Sequence, residues 1–513
     1  MSTFLKSFAL ALLCMVGMIP GAYAKETVYN YDVVVVGSGA AGLAAALEAA
    51  EDGLKTALIE KRAALGGSSL FIEGTFAAGT PWQKSEYIGN AADPDEMFKQ
   101  VMAYNHWRTN APLARKWIKN SASTLGWIHD HGVIIEEPRT LMMDGNRTWH
   151  IFKDGKGVQF IETMVKSIRN AGGDIYTETA GKELITDKKG NVTGIMAETA
   201  EGDKIRFNAK GGVVIATGGF IDNKEMMKKY GIRPDYLIIG PKEGHGGDDM
   251  KMFESIGAKM DNNMGIHLAI GTWLPGKDPN TQLPIMGMYT QLTAVLRQPY
   301  LWVNENGKRF FDESQSNNWS FSNNAVELNG GMYFGVFDEN IKKYMIEEGI
   351  DVSHSDWARI GAKLDKLEEG LKAGEKEGYV YKANSLEELA DKMGIDKKTF
   401  LETVRKSNQY SRQGYDEEFL KPRKYLKPIE KAPFYAIKGL SGTLITLSGP
   451  LTNEEMQVLS DSTGKPIKGL YVAGCATGGV YGMDYHLILE GAASSFALNS
   501  GRFAAQHIAA TLK

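Results

Sequence analysis

The chain has 513 residues, of which 43% are hydrophobic and 23% are charged, and its net charge is −4. This composition is that of a globular protein long enough for two or three domains. The near-neutral, slightly acidic balance gives no basic footprint, so we predict no nucleic-acid partner. We also predict no metal site.

The first 24 residues are typical of an export signal. Lys6 supplies a positive start, residues 8–19 form an apolar core too short to span a membrane, and Ala22-Tyr23-Ala24 forms an A-x-A cleavage site. We expect cleavage after Ala24 and a periplasmic protein that is not an integral membrane protein; an uncleaved anchor is the alternative. The mature chain would keep one cysteine, Cys475, so no internal disulfide could form.

A glycine-rich turn follows the first predicted strand. Four valines at 33–36 predict a buried parallel strand, and an alanine-rich segment at 43–51 predicts a helix. Between them lies a G-x-G-x-x-G motif with two central alanines: Gly37, Gly39, Ala40, Ala41 and Gly42. In this motif the glycines permit a tight turn, close backbone approach to a pyrophosphate and close helix–strand packing. An ordinary tight turn is the alternative.

A second strand, 56–59, ends at Glu60, 18 residues past Gly42. A carboxylate at this distance can bind a ribose hydroxyl and would repel a 2′-phosphate, so FAD or NAD fits better than NADP. Lys61 follows, and the backbone N–H groups of a Gly67-Ser68-Ser69 loop could contact phosphates. A flexible turn is the alternative for that loop.

Further elements follow in chain order. Apolar residues at helical spacing predict helices over 94–135, with Trp107 and Trp117 in the core. Short strands are predicted at 174–176, 192–197, 204–207 and 212–216, the last closed by Thr217, Gly218 and Gly219.

The C-terminal end repeats the strand-and-glycine pattern. A strand at 469–474 leads into Gly474 and Cys475, and a helix over about 491–510 follows Leu489. The N-terminus of that helix could stabilise negative charge on a bound group.

These motifs together resemble the flavoprotein family of fumarate reductase and succinate dehydrogenase, of the flavocytochrome c flavin-subunit type. Urocanate reductases and 3-ketosteroid dehydrogenases are relatives. The resemblance covers nearly the whole mature chain and implies FAD. No histidine lies between Lys25 and Asn105, so we expect non-covalent FAD. The implied fold is α/β: a Rossmann-like FAD-binding domain, split into 25–262 and 441–513, with an inserted α+β capping domain at 263–440.

The resemblance also implies site residues. Arg309, in a G-x-R-F-x-x-E motif, matches the family's proton donor; an arginine paired with Asp312 or Glu313 is the alternative. Arg297 lies near a second family arginine and could instead bind a substrate carboxylate or lie on the surface. His267 lies near a family histidine that binds a substrate carboxylate, with a core histidine as the alternative. Asp248 matches the family's G-D-G turn and could also be a helix N-cap.

Two departures from the family affect the substrate. Residues 444–449 replace the His-His-Thr-x-G-G run of fumarate reductases, and Tyr485 occupies the position of an arginine that follows the family's G-V-H-G-A-N run. Two cationic anchors of a small dicarboxylate are therefore absent, and we predict poor activity toward fumarate. Tyr485 and Tyr481 could donate hydrogen bonds to a carbonyl, stack on an aromatic ring, or only pack at the flavin edge.

The sequence therefore predicts an exported FAD-dependent reductase that transfers hydride to an activated C=C bond of an enoate or enone. Because no C-x-x-C-H motif is present, we expect a separate c-type cytochrome to supply electrons. The alternative is a 3-ketosteroid-type dehydrogenase with Tyr485 or Tyr481 as the base. A flavin subunit without its own substrate is a third possibility.

Overall fold

The structure is a computed structural model that describes residues 27–84, 92–140, 147–153, 156–235, 237–238, 244–276, 288–353 and 359–513. The predicted export signal, residues 1–24, lies outside the described residues. No helix in the described ranges is long and apolar enough to cross a bilayer.

Strands and helices alternate along most of the chain. The strands are β1 (Thr27–Val36), β2 (Thr56–Ile59), β3 (Gly74–Phe76), β4 (Ile135–Arg139), β5 (Trp149–Phe152), β6 (Asp174–Tyr176), β7 (Thr179–Thr186), β8 (Val192–Thr199), β9 (Lys204–Ile215), β10 (Leu237–Ile238), β11 (His267–Trp273), β12 (Leu301–Val303), β13 (Met332–Asp338), β14 (Val380–Ala383), β15 (Phe434–Thr446), β16 (Gln457–Leu459) and β17 (Pro466–Val472).

The helices follow the same alternation. They are α1 (Ala40–Glu51), α2 (Pro94–Tyr104), α3 (Ala111–Asp130), α4 (Lys156–Asn170), α5 (Lys224–Lys229), α6 (Asp248–Ser255), α7 (Met288–Leu296), α8 (Trp319–Leu328), α9 (Glu339–Glu347), α10 (Leu367–Glu377), α11 (Leu386–Met393), α12 (Lys397–Gln413) and α13 (Ala492–Leu512).

The largest sheet is built from both ends of the chain. Its central strands run in the order β17-β9-β1-β2-β6 and are all parallel. β16 pairs antiparallel with β17, and the β7–β8 hairpin extends from β9. A parallel sheet with its first βαβ turn at β1 is the doubly wound arrangement that binds dinucleotides. The predicted α/β, Rossmann-like fold class is confirmed.

Both faces of this sheet are covered, which explains the unbroken valine run in β1. Val33 and Val35 pack in the core that contains α1 and α13, whereas Val34 and Val36 pack in a second core with residues of β8 and β9. Alternate residues of a strand point to opposite faces, so a strand buried on both sides needs consecutive apolar residues. α1 and α13 approach closely because Gly501 lies against the backbone of Ala41.

A second sheet forms the centre of the capping region. β15 is its long strand and pairs with β10, β11, β13 and β14, while β12 extends the sheet from β13. The predicted boundary at 440 falls inside β15, which runs without interruption from the capping region toward the cleft. β10 comes from the first predicted segment of the FAD-binding domain and nevertheless pairs with β15. A small third sheet contains β3, β5 and β4.

The two tryptophans of the 94–135 segment behave differently. The expected helices form as α2 and α3, and Trp117 is fully buried, as predicted. The prediction for Trp107 was wrong: it follows α2 in a left-handed conformation, with φ of 59°, and is 68% exposed. Helical spacing did not reveal that α2 ends at Tyr104.

Trp117 and Trp107 allow a test of which side chains belong to the core. Trp117→Ala should lower the free energy of unfolding by about 3–5 kcal/mol, because a fully buried indole leaves a cavity. Trp107→Ala is the matched control and should change it by less than about 0.5 kcal/mol. Urea unfolding measures both, and equal losses would contradict the structure.

Candidate active site

A long cleft of about 1110 Å³ opens at the carboxyl ends of the parallel strands. This is the edge of a doubly wound sheet where ligands bind. Most residues predicted to hold a dinucleotide line it: Gly37, Gly39, Ala40, Ala41, Glu60, Lys61, Gly67, Ser68, Ser69, Thr217, Gly218, Gly219, Asp248, Gly474 and Cys475. Gly42 and Leu489 do not line the cleft, because Gly42 faces the turn beneath it and Leu489 is fully buried in the core.

The three glycines of the first turn have different roles. Gly37 has φ of 102°, and a β-carbon there would lie 2.5 Å from the carbonyl oxygen of Ala216. A β-carbon on Gly42 would overlap the carbonyl oxygen of Gly37, so this glycine sets the contact between α1 and β1. Gly39 has an ordinary extended conformation, and a β-carbon there would lie no closer than 3.5 Å to Ser69 Oγ. Of these three glycines, Gly39 is therefore the one that could carry a side chain without disturbing the folded chain.

The acid at the end of β2 is held in place. Glu60 is 9% exposed and accepts hydrogen bonds from Ser38 Oγ at 2.7 Å, from Ser38 N–H at 3.0 Å and from Arg62 N–H at 2.9 Å. Lys61 Nζ forms an ion pair with Asp248 Oδ2 at 2.7 Å. The N-cap of α6 is Gly247 and Asp248 is the first helical residue, so the alternative N-cap role of Asp248 was wrong.

Sequence reasoning missed several residues around the cleft. Ser38 binds Glu60 and lies inside the glycine motif, so its position was the available signal. Thr217 Oγ1 donates to Asp249 Oδ2 at 2.7 Å, and burial raises the pKa of Asp249. His245 also lines the cleft, and nothing in the sequence marked it.

The opposite end of the cleft is formed by Cys475 and by Ala493 and Ser494, at the N-terminus of α13. Tyr485 is next to this end: its hydroxyl oxygen accepts a hydrogen bond from Ala493 N–H at 3.2 Å. Burial raises the pKa of the Cys475 thiol to about 12 and raises the pKa of Tyr485. Both groups are therefore protonated at neutral pH.

Aromatic side chains surround Tyr485. The ring centroid of Tyr481 lies 5.7 Å from that of Tyr485 and 4.9 Å from that of His486. Burial lowers the pKa of His486 to about 3, so its ring is neutral. The aromatic packing considered for the two tyrosines is present, and Tyr481 and Tyr485 do not themselves line the cleft.

The capping region is bonded to the segment that carries Tyr485. In α8, Ser320 Oγ donates to the carbonyl oxygen of Tyr485 at 3.0 Å, and Asn324 Nδ2 donates to Asp484 Oδ1 at 2.7 Å. The ring of Phe321 stacks on Tyr104 with centroids 5.6 Å apart. The cap therefore contacts the FAD-binding domain directly beside the tyrosine.

Arg309 is placed away from the cleft. Its guanidinium is 3% exposed and bonds Glu313 Oε2 and Asp416 Oδ2, each at 2.7 Å, and Lys421 Nζ lies 3.2 Å from Glu313 Oε2. The ring of Phe419 covers it at 4.8 Å. These contacts correct the sequence-based role: both carboxylates hold the arginine in a buried ion cluster, as in the alternative that paired it with Glu313, and Arg309 does not line the cleft.

Arg297 is buried and His267 is partly buried in the capping region, and neither lines the cleft. The Arg297 guanidinium lies between the indoles of Trp273 and Trp319, 4.8 and 4.9 Å from the ring centroids. Burial lowers the pKa of Arg297 to about 9, and it is not a surface arginine. His267 Nε2 lies 2.9 Å from Glu327 Oε1; although burial opposes protonation, this carboxylate raises the pKa of His267.

Fold and cleft together define a dinucleotide-binding flavoprotein. Residues 32–487 match the FAD binding domain family, and the chain belongs to it. It is 32% identical to vinyl phenol reductase from Lactiplantibacillus plantarum over 94% of this chain and 96% of that protein. It is 30% identical to NADH:fumarate oxidoreductase from Klebsiella pneumoniae over 88% of this chain but only 45% of that protein.

The structure of a flavocytochrome c3 fumarate reductase in its open conformation has the same fold. It superposes with a TM-score of 0.68 at 24% identity, over 95% of this chain and 79% of that one. The predicted family is confirmed, and the protein is an FAD-dependent oxidoreductase of the class that acts on carbon–carbon bonds. The residues present fit FAD, since the cleft joins a pyrophosphate turn and a ribose acid to a helix N-terminus at its far end.

The glycine geometry gives a specific prediction. Gly39→Ala should leave the unfolding temperature of the apoprotein within about 2 °C, because its β-carbon meets no protein atom closely, yet weaken FAD binding at least tenfold by blocking the pyrophosphate. FAD titration followed by flavin fluorescence measures this effect.

Gly42→Ala is the contrasting variant and should destabilise the apoprotein itself, since its β-carbon overlaps Gly37. Unchanged FAD affinity in Gly39→Ala would show that the pyrophosphate of FAD does not bind against Gly39.

The ion cluster predicts a pH-dependent loss of stability. Arg309→Met should cost about 3–5 kcal/mol near neutral pH, because two buried carboxylates lose their cation. Burial opposes ionisation of Asp416, but Arg309 outweighs it and lowers the pKa from 3.8 to about 2. Stability from this carboxylate is therefore present above pH 4 and lost as the pH falls toward 2.

The difference in unfolding free energy between wild type and Arg309→Met should accordingly shrink over that acidic range, as measured by denaturant unfolding at several pH values. A variant that keeps wild-type stability but loses turnover would restore Arg309 as the proton donor.

Proposed function

We propose that this protein is an exported reductase that saturates a C=C bond conjugated to an aromatic ring, or to one carbonyl or carboxylate, and that fumarate is a poor substrate. The observation that carries this proposal is the buried hydroxyl of Tyr485 beside the N-terminus of α13, where fumarate reductases have a cationic anchor. A dianion bound without that charge would lose roughly 1.5–3 kcal/mol per missing charge-assisted bond.

The aromatic surroundings support an aromatic substrate. Tyr481, Tyr485 and His486 form a group of uncharged rings next to the end of the cleft where α13 begins, although none of them lines it. The likeness to vinyl phenol reductase extends over nearly the full length of both chains. A vinyl or propenoate group attached to a phenol is therefore the class of substrate that we favour.

Tyr485 is the proton donor in this proposal. Bound FAD supplies the hydride. The oxygen of Tyr485 accepts the Ala493 N–H, so its own proton is not used in that bond and could be donated to a substrate carbon that reaches the hydroxyl. When that proton has left, the same N–H and the positive end of α13 stabilise the tyrosinate oxygen. The raised pKa of Tyr485 keeps the donor protonated until then.

Arg297 does not line the cleft, so it would favour a singly charged substrate through its electric field rather than by direct contact. It is buried, and because its pKa is lowered only to about 9 it remains a cation at neutral pH. The two flanking indoles shield it from water on both faces. One cation suits a monocarboxylate or phenolate better than a dicarboxylate.

Electrons would come from a separate periplasmic c-type cytochrome. The chain has two cysteines and no C-x-x-C-H motif, and it matches only 45% of the NADH-linked relative. FAD would be held non-covalently: the Cys475 thiol is protonated, and among the histidines of the described chain only His245 lines the cleft, with Nε2 bonded to Ser68. Rapid NADH oxidation by the purified protein would contradict the proposal that a cytochrome supplies the electrons. A measured intact mass that still includes residues 1–24 would contradict the proposed export.

The reaction is tested with FAD-loaded protein and a reduced viologen dye under anaerobic conditions. Tyr485→Phe should lower the rate of dye reoxidation by an aryl alkene or enoate about 10²–10⁴-fold, because the proton donor is removed. FAD absorbance should be retained.

Tyr104→Phe is the matched control. It also removes a buried tyrosine hydroxyl, one that does not line the cleft, and should keep wild-type turnover. Equal turnover in Tyr485→Phe and wild type would exclude Tyr485 as the donor. Faster reoxidation by fumarate than by every monocarboxylic or aromatic substrate would overturn the substrate class.

The same tyrosine could act as a base in the opposite direction, as the ketosteroid-type alternative requires. That alternative predicts dye reduction when a saturated ketone is added to oxidised enzyme. Substitution of Arg309 does not distinguish C=C reduction from dehydrogenation, because Arg309 belongs to the ion cluster.

A further inference from the structure

His245 lines the cleft and is held on a rigid support. Its backbone N–H donates to Asp222 Oδ2 at 3.0 Å, and its carbonyl oxygen accepts from Asp222 N–H at 3.1 Å. Asn223 Nδ2 donates to the carbonyl oxygen of the next residue, Gly246, at 3.1 Å. The loop before α6 is therefore pinned, and the histidine is only 6% exposed.

The imidazole is fixed by two further contacts. Its Nε2 lies 2.8 Å from Ser68 Oγ, in the loop that follows the ribose acid. Its other edge packs against the Thr-Gly-Gly turn, where Gly218 has φ of 83° and a β-carbon would lie 2.9 Å from Nδ1. The glycine at 218 is thus the residue that makes room for the ring.

Nδ1 has no hydrogen-bond partner within the described structure, although it is buried. Leaving a buried polar atom unpaired is unfavourable, so such an atom in a ligand cleft points to a ligand. Burial and the nearby Lys61 lower the pKa of His245 to about 4 against the opposing effect of the Thr217 backbone beside the ring, so the ring is neutral. Because Nε2 already contacts Ser68, the neutral ring can offer one further hydrogen bond, at Nδ1, and it has no charge to bind a phosphate.

We propose that His245 is an FAD-binding residue whose Nδ1 hydrogen-bonds an uncharged hydroxyl or carbonyl group of the cofactor, between the ribose acid Glu60 and the flavin end at Cys475. Ser68 fixes the orientation of the ring through its contact with Nε2. The inference rests on FAD as the cofactor and is independent of the reaction proposed above.

The test compares FAD affinity in apoprotein variants by fluorescence titration. His245→Leu should bind FAD about three- to tenfold more weakly, the effect of one neutral hydrogen bond. His245→Gln, which can replace one bond, should lie between His245→Leu and wild type. Affinity in His245→Leu within twofold of wild type would overturn the proposal.

His150→Gln is the matched control. This second buried, neutral histidine has both ring nitrogens bonded, to Thr80 Oγ1 at 2.7 Å and to the Thr148 carbonyl at 2.9 Å, and does not line the cleft. Its FAD affinity should equal that of wild type, and an equal loss there would reduce the His245 effect to general destabilisation.

A second measurement uses the wild-type protein, so it does not depend on whether His245→Leu folds. In wild-type protein with ¹⁵N-labelled histidine, the Nδ1 resonance of His245 should shift when FAD is added, while those of His150 should stay. An unshifted His245 resonance would also overturn the proposal.

Discussion

The contact on which the cofactor cleft depends is the approach of α1 to β1 within the first turn. Gly42 lies directly against the carbonyl of Gly37, and Gly37 lies against Ala216 at the end of β9. These backbone contacts fix where α1 begins, and so where its first N–H groups point. Ser69 then accepts from Ala40 N–H at 2.8 Å and ties the serine loop to the same helix end. Glu60, Ser38 and the loop before α6 are arranged around this fixed point.

The far end of the cleft follows a different principle. There the polar groups are buried tyrosine, cysteine and histidine side chains, and desolvation holds each in its neutral form. The charged groups of the capping region are enclosed separately: Arg309 by two carboxylates, and Arg297 by two indoles. In the function proposed above, such a site would distinguish substrates by shape and hydrogen bonding beside α13 and by the single cation Arg297.

The parts that the sequence predicted well are those whose causes are local. A valine run buried on both faces, a glycine forced to positive φ and an acid at the end of a strand each have a signature within a few residues. Arg309 was misplaced because Asp416, its second carboxylate, lies 107 positions along the chain. His245 was missed for the same reason, since Ser68 and Gly218 give it its role through space. Trp107 was misplaced because helical spacing does not mark a helix end.

The bonds between α8 and the tyrosine segment have a consequence for timing. Ser320 and Asn324 hold the backbone of Tyr485 and the side chain of its neighbour Asp484, so the cap and the tyrosine segment are positioned together. Lifting α8 to admit a substrate would break both bonds. Enclosure of the substrate and alignment of the acidic proton would then be a single event, and an open enzyme would have an electron source but no aligned acid. Such coupling would let the cap limit the loss of electrons from the reduced cofactor while the site is open to water.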